Sequence, residues 1–225
     1  MQFDIEQHVK YALLNAMRRE WPFAHFYAEN VFPADYYEGI QAFLRSQVAS
    51  DFIDTTNAGS GKYGNRAFAK ENMIPGCEFM LSQDFLHAIM SIFRKEVLAT
   101  FPDGKMVVSR DIRLIRDSKE YKIGPHTDAK WKLISLLFYL PADNGYADYG
   151  TSLFVPRDPS FTCDGGPHYP FEPFTKAFTA PFLPNTCLGF WKTNRSFHGV
   201  EPIPVEIRRD VLLYNVYHSK QTNSL

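Results

Sequence analysis

Cysteine is scarce in this chain, and concentrated positive charge is missing altogether. Cys77, Cys163 and Cys187 are odd in number and lie far apart, without the spacing of a zinc site or a disulfide framework. A reducing, cytoplasmic setting is the natural expectation. Lys and Arg nowhere form a run, and the formal net charge is −1. The basic stripe by which nucleic-acid binders neutralise phosphates is therefore absent, and no DNA or RNA partner is expected. A polybasic helix for a membrane surface is lacking too. No apolar run approaches the roughly 20 residues that cross a bilayer. Residues 1–25 scatter Asp4, Glu6, Arg18, Arg19 and Glu20 among apolar positions, unlike a secretory leader. Internal repeats and low-complexity stretches are also missing.

What the chain does have is apolar and aromatic material. Hydrophobic residues make up 45% of it, with 20 Phe and 12 Tyr, enough for a sizeable core with a bias toward pleated structure. Its 225 residues fit one domain, 1–225, with a helical part over 1–100 and a β-rich core over 106–217. In the first part, Asp4 can cap a helix with Gln7 three residues on, and Ile5, Val9, Ala12, Leu13, Ala16 and Met17 follow with helical spacing until Pro22. Pro33 suits the first turn of a second helix through Tyr37, Ile40, Phe43 and Leu44. A third, from about 82 to 98, puts Phe85, Leu86, Ile89, Met90, Phe93 and Val97 on one stripe. The polar, glycine-bearing stretch 54–66, DTTNAGSGKYGNR, reads as a lid loop with Tyr63 and Arg66 as its functional candidates, or as a plain solvated loop.

From about residue 106 the pattern turns to short β-like runs between turn signals. Eight are expected, at 107–116, 121–127, 132–140, 151–155, 175–182, 186–192, 197–200 and 208–217. Eight strands after a helical preface fit a jelly roll.

Three side chains in this region carry the chemistry. The run YKIGPHTD places His126 and Asp128 on one face of a strand with Thr127 opposite. His198, in WKTNRSFHGVEP, is the natural third ligand. Two imidazoles and one carboxylate on one face match the triad that binds non-haem Fe(II) and leaves coordination positions open. Arg209 follows 11 residues after His198 (209 − 198), on the expected last strand. Its guanidinium can grip a carboxylate through two parallel hydrogen bonds. Strand alternation sends Arg209 inward with Val211 and Leu213, and Arg208 outward.

These pieces together resemble the 2-oxoglutarate- and Fe(II)-dependent dioxygenase superfamily, its prolyl-hydroxylase-like branch above all. The matching segments are GPHTD, KLISLLFYLP, GTSLFVP, FHGVEPI and RRDVLLYNVY, in the family's order over roughly 107–217. The resemblance implies a mainly β, double-stranded β-helix (jelly-roll, cupin-like) fold with N-terminal flanking α-helices. It also implies Fe(II) on His126, Asp128 and His198, with 2-oxoglutarate between the metal and Arg209 and O2 as oxidant. The expected activity is hydroxylation of an unactivated C–H bond, with release of succinate and CO2. Because Asp128 is retained where related halogenases carry a small residue, halogenation is disfavoured.

One departure bears on the cosubstrate. The family often shows Arg-x-Ser on the last strand, whereas this chain reads Arg209-Asp210-Val211. Tyr121, Ser135, Tyr139 and Thr151 are the candidates for the missing hydroxyl, Tyr121 first among them. Arg113, if it faces the barrel, would contact 2-oxoglutarate or an acidic substrate. The expected substrate is a small molecule, an amino acid or a biosynthetic intermediate, rather than a protein, contacted by loops 54–66 and 157–174. His8, His25, His87 and His168 are expected to be surface or locally bonded histidines rather than ligands. Trp131 either lines the mouth or packs under a loop, and Trp191 and Phe197 belong to the core. Two competing classes fit parts of the pattern: a non-catalytic jelly-roll binding module, and a zinc hydrolase using the same triad.

Overall fold

A computed structural model describes residues 2–54, 65–71 and 73–218, with side chains from residue 4 onward. The chain opens with α1 (Gln2–Leu14), and two early strands follow, β1 (Arg18–Arg19) and β2 (His25–Glu29). Next come α2 (Ala34–Ser46), β3 (Phe52–Asp54), β4 (Arg66–Ala69), α3 (Gln83–Ile92) and α4 (Arg94–Thr100). Pro33 occupies the position before α2, and the Ser82 hydroxyl caps α3 by accepting the Phe85 N–H. The helix expected over 82–98 is broken in two at Phe93, which is fully buried.

The eight strands expected from residue 106 all form. They are β5 (Val108–Asp117), β6 (Ile123–His126), β7 (Lys132–Tyr139), β8 (Thr151–Pro156), β9 (Phe174–Ala180), β10 (Thr186–Trp191), β11 (His198–Val200) and β12 (Arg209–His218). They divide between two antiparallel sheets. One contains β10-β7-β12-β5 and the other β6-β11-β8-β9, so successive strands cross back and forth between layers. That winding is the double-stranded β-helix, and the jelly-roll expectation holds.

The N-terminal part differs from a purely helical preface. β1 and β2 extend the larger sheet beyond β10, and β4 and β3 extend it beyond β5, giving the order β1-β2-β10-β7-β12-β5-β4-β3. Arg66, at the end of the stretch expected as a lid or solvated loop, lies in a strand with Cα partner Asp117, and residues 55–64 of that stretch lie outside the described residues. Tyr63, the other lid candidate, lies outside the described residues.

Alternation decides what each face of the larger sheet does. Ile134, Leu136 and Phe138 of β7, with Leu212, Tyr214 and Val216 of β12, point outward. There they pack against Val9 and Leu13 of α1 and Phe85 and Ile89 of α3. Tyr139, Val211, Ile115 and Leu188 point inward and meet Ile123, Leu153 and Val200 of the smaller sheet. Strands covered on both faces need a nearly continuous apolar sequence, which is why β7 reads KLISLLFY. The interruptions in that inner face are the polar residues of the site. Trp191 and Phe197 are buried, as expected for core residues.

Candidate metal centre and cavity

β6 and β11 lie side by side with His126 directly opposite His198. Their rings stand 4.3 Å apart, centre to centre. So close a pairing needs glycine on β11, where a Cβ on Gly199 would lie 2.5 Å from the Ile123 carbonyl oxygen; Gly124 of β6 makes room instead for the loop over 157–174, since a Cβ there would lie 2.1 Å from the Tyr169 carbonyl oxygen. Asp128 follows just past the end of β6. One potential ligand atom from each of His126, Asp128 and His198 lies within 4.8 Å of the other two.

The two imidazoles are oriented alike. His126 Nδ1 lies 3.0 Å from the Gly124 carbonyl oxygen, and His198 Nδ1 lies 3.0 Å from that of Ser196. A carbonyl only accepts, so each Nδ1 carries the proton and each Nε2 keeps its lone pair. His198 Nε2 is 3.9 Å from Asp128 Oδ2. The carboxylate is itself held at both oxygens, with Lys132 Nζ donating to Oδ1 at 2.8 Å and Ser135 Oγ to Oδ2 at 2.8 Å.

Burial holds the His126 imidazole well below its ordinary pKa, and the neighbouring His198 adds to the effect, against an opposing pull from Asp128. Burial likewise lowers His198, partly offset by Asp128. For Asp128, burial acts upward, yet Lys132 and the two histidines outweigh it and hold the carboxyl below the usual range. Two neutral imidazoles and an ionised carboxylate are the protonation states a divalent cation requires.

A cavity of about 270 Å3 runs from this triad into the space between the sheets. At its far end lies Arg209, which is 1% exposed. Arg209 donates from Nη1 to Asp117 Oδ2 at 2.6 Å and from Nε to the Tyr149 carbonyl oxygen at 2.9 Å. Its Nη2 is 3.4 Å from Thr151 Oγ1, near the outer limit of a hydrogen bond. Arg66 reaches the same Asp117 carboxylate from the other side, through Nε at 2.6 Å and Nη2 at 2.9 Å. Arg208 points away from the cavity, to Asp210 and the Leu44 carbonyl oxygen.

The four hydroxyl candidates separate in space. Ser135 serves Asp128, Thr151 sits beside Arg209, and the Tyr139 hydroxyl accepts the Thr151 N–H at 3.1 Å. Tyr121 lines the cavity just before β6, under the Arg66 guanidinium at 4.4 Å. Arg113 lines the opening, half-exposed and paired with Asp111 at 2.9 Å.

Three features were not anticipated from sequence. Asp117 joins two arginines at the cavity floor, and Lys132 supports Asp128. His168 is half-buried and stands 4.6 Å from the His126 ring, which places it closer to the triad than a solvent-exposed loop residue would be. The loop over 157–174 docks on β6, with the Tyr169 N–H donating to the Pro125 carbonyl oxygen, and contributes no residue to the cavity lining. Trp131 is 54% exposed and is likewise not part of that lining.

No family model matches the chain, and no curated protein matches it in sequence. Solved structures do match. A Pseudomonas putida prolyl-4-hydroxylase superposes with TM-score 0.54 at 13% identity, over 96% of this chain and 100% of that one. HygX from Streptomyces hygroscopicus, solved with nickel, 2-oxoglutarate and hygromycin B, superposes with TM-score 0.50 at 12% identity, over 87% of this chain and 83% of that one. At such identities the likeness is one of architecture, and it agrees with the strand order above. The chain has the double-stranded β-helix fold found in 2-oxoglutarate/Fe(II) oxygenases of the prolyl-hydroxylase-like kind.

Proposed function

We propose that this chain, acting as a single domain, is a 2-oxoglutarate-dependent non-haem iron oxygenase that hydroxylates an unactivated C–H bond of a small molecule. Amino acids and biosynthetic intermediates are the substrate class. The observation that carries the reading is the shared orientation of His126 and His198. Each gives its Nδ1 proton to a backbone carbonyl, so both remaining lone pairs are available beside the Asp128 carboxylate. Metal-binding histidines are commonly fixed in this way by the hydrogen bond of their other nitrogen. The donor set, two nitrogens and one carboxylate oxygen, suits Fe(II) and leaves positions for a chelating keto acid and O2.

On this reading His126, Asp128 and His198 hold the iron, and Arg209 with Thr151 receives the distal carboxylate of 2-oxoglutarate at the cavity floor. Tyr121 and Arg113 line the same cavity. When bound, iron and 2-oxoglutarate together supply the oxidising chemistry: O2 is consumed as the keto acid is decarboxylated to succinate and CO2, and one oxygen atom enters the substrate C–H bond. The protein's own part is placement and exclusion. Ile115, Leu137, Val200 and Leu213 give the cavity apolar walls, while Lys132 and Ser135 fix the carboxylate. A volume of about 270 Å3 lies just below the roughly 300–1,000 Å3 typical of ligand pockets, which favours a keto acid with a small partner over a large substrate.

Anaerobic titration tests the proposal. Addition of Fe(II) and then 2-oxoglutarate to the purified protein should produce a visible metal-to-ligand charge-transfer band. His126→Ala should abolish it, and Arg209→Ala should demand more 2-oxoglutarate without altering iron affinity. Tight metal binding that never responds to 2-oxoglutarate would favour a hydrolytic site, and no metal binding at all would leave a binding module.

A further inference from the structure

We infer that Arg66 is needed beside Arg209 to hold the distal carboxylate of 2-oxoglutarate, because the Asp117 carboxylate that the two guanidiniums share cancels one of their two charges. The inference rests on the cosubstrate reading above and adds a positioning residue that lies outside the eight core strands.

Arg66, Asp117 and Arg209 form a row across three neighbouring strands. Asp117 of β5 has Arg66 of β4 as its Cα partner on one side and Arg209 of β12 on the other. All three side chains point inward at one level, and Arg66 and Arg209 line the cavity. Asp117 is 0% exposed, so its charge is balanced by these two guanidiniums rather than by water. It accepts three short hydrogen bonds, at 2.6 and 2.9 Å from Arg66 and at 2.6 Å from Arg209.

Charge counting then decides which residue matters. Without Arg66, Arg209 and Asp117 would be a neutral pair. A second carboxylate arriving at that pair would leave one uncompensated negative charge in a buried site, a heavily penalised arrangement. Adding Arg66 makes the resting cluster +1, and the incoming carboxylate completes a neutral set of two guanidiniums and two carboxylates. The arrangement also accounts for the missing serine. Val211, two residues beyond Arg209, is fully buried and apolar, and the hydroxyl that does stand beside Arg209, Thr151 Oγ1, is 3.4 Å from its Nη2. On this inference a second guanidinium contributes what a hydroxyl on the last strand does not supply here.

The test measures the dissociation constant of 2-oxoglutarate from the charge-transfer band of the anaerobic Fe(II) protein, with iron affinity measured separately by chelator competition. Arg66→Met should weaken 2-oxoglutarate about ten- to a hundredfold, the usual worth of a charge-assisted contact, with iron affinity unchanged. Arg66→Lys, which keeps the charge, should retain most of the affinity. Adding Asp117→Asn to Arg66→Met should recover binding, since Arg209 is then unopposed. Asp117→Asn alone should tighten it. 2-Oxobutyrate, lacking the distal carboxylate, should bind wild type and Arg66→Met alike. If Arg66→Met fails to fold, the single Asp117→Asn variant decides: unchanged or weaker 2-oxoglutarate binding overturns the inference. So does an Arg66→Met protein that binds like wild type, or one whose loss is equal for both keto acids and not recovered in the double variant. A wild-type protein with no 2-oxoglutarate response sinks the parent reading and this inference with it.

Discussion

Among the three residues of the triad, Asp128 depends most on its neighbours. It lies beyond the end of β6, so its position comes from Lys132 and Ser135, each 2.8 Å from one of its oxygens. Hydrogen-bonding partners of metal-binding groups typically contribute about 10–100-fold to metal affinity, so Ser135→Ala should weaken Fe(II) binding on that order. Competition against a chelator of known affinity measures the loss, and an unchanged constant would mean that Lys132 alone fixes the carboxylate. At this scale much of the candidate site was legible. The inward parity of Arg209 follows from side-chain alternation along its strand, whereas Asp128 lies past the end of β6 and reaches His126 through Lys132 and Ser135 rather than through strand parity. Asp117 was not legible, because the first core strand was expected to stop at 116, one residue short. Continuing the parity of Arg113 and Ile115 by one step would have put a carboxylate on the inner face.

At the scale of the element, β7 shows how one strand serves two purposes. Phe138 faces the helices, fully buried and 5.6 Å from the Phe32 ring, whereas its neighbour Leu137 lines the cavity. Phe138→Ala should cost about 3–5 kcal/mol of stability by the cavity it leaves, and should leave iron and 2-oxoglutarate binding intact. Leu137→Phe should do the reverse, crowding the cosubstrate with little change in the urea midpoint. Paired urea unfolding and keto-acid titrations of the two variants check this, and a Phe138→Ala protein with impaired ligand binding would contradict the assignment of faces. The core strands were readable because turn residues bracket them and apolar runs fill them. β2 and β4 were not. HFYAE is only five residues long, and the alternation of buried Phe26 and Ala28 with Tyr27 and exposed Glu29 is hidden by two adjacent aromatics, while RAFA directly follows a glycine-rich stretch that reads as loop. Both become strands because an edge of the larger sheet is available for pairing, which is tertiary information.

For the whole molecule, the site sits where the two sheets meet, with His126 and His198 on the smaller sheet and Asp117 and Arg209 on the larger. Ligands that span the gap should therefore tie the layers together, and global stability should report their occupancy. A ligand bound only by the folded state, at a free concentration about 100 times its dissociation constant, adds roughly 2.7 kcal/mol. For a chain of this size that corresponds to a rise in Tm of about 5–10 °C, taking about 2–4 °C per kcal/mol. Fe(II), or a redox-inert divalent substitute, should produce such a rise, and EDTA should reverse it. On the proposed function, 2-oxoglutarate should add a further rise only when the metal is present, since one of its ends would need the metal and the other the arginines. A shift of equal size from 2-oxoglutarate in metal-free protein would place the keto acid at the arginines alone, and would separate the anion site from the triad.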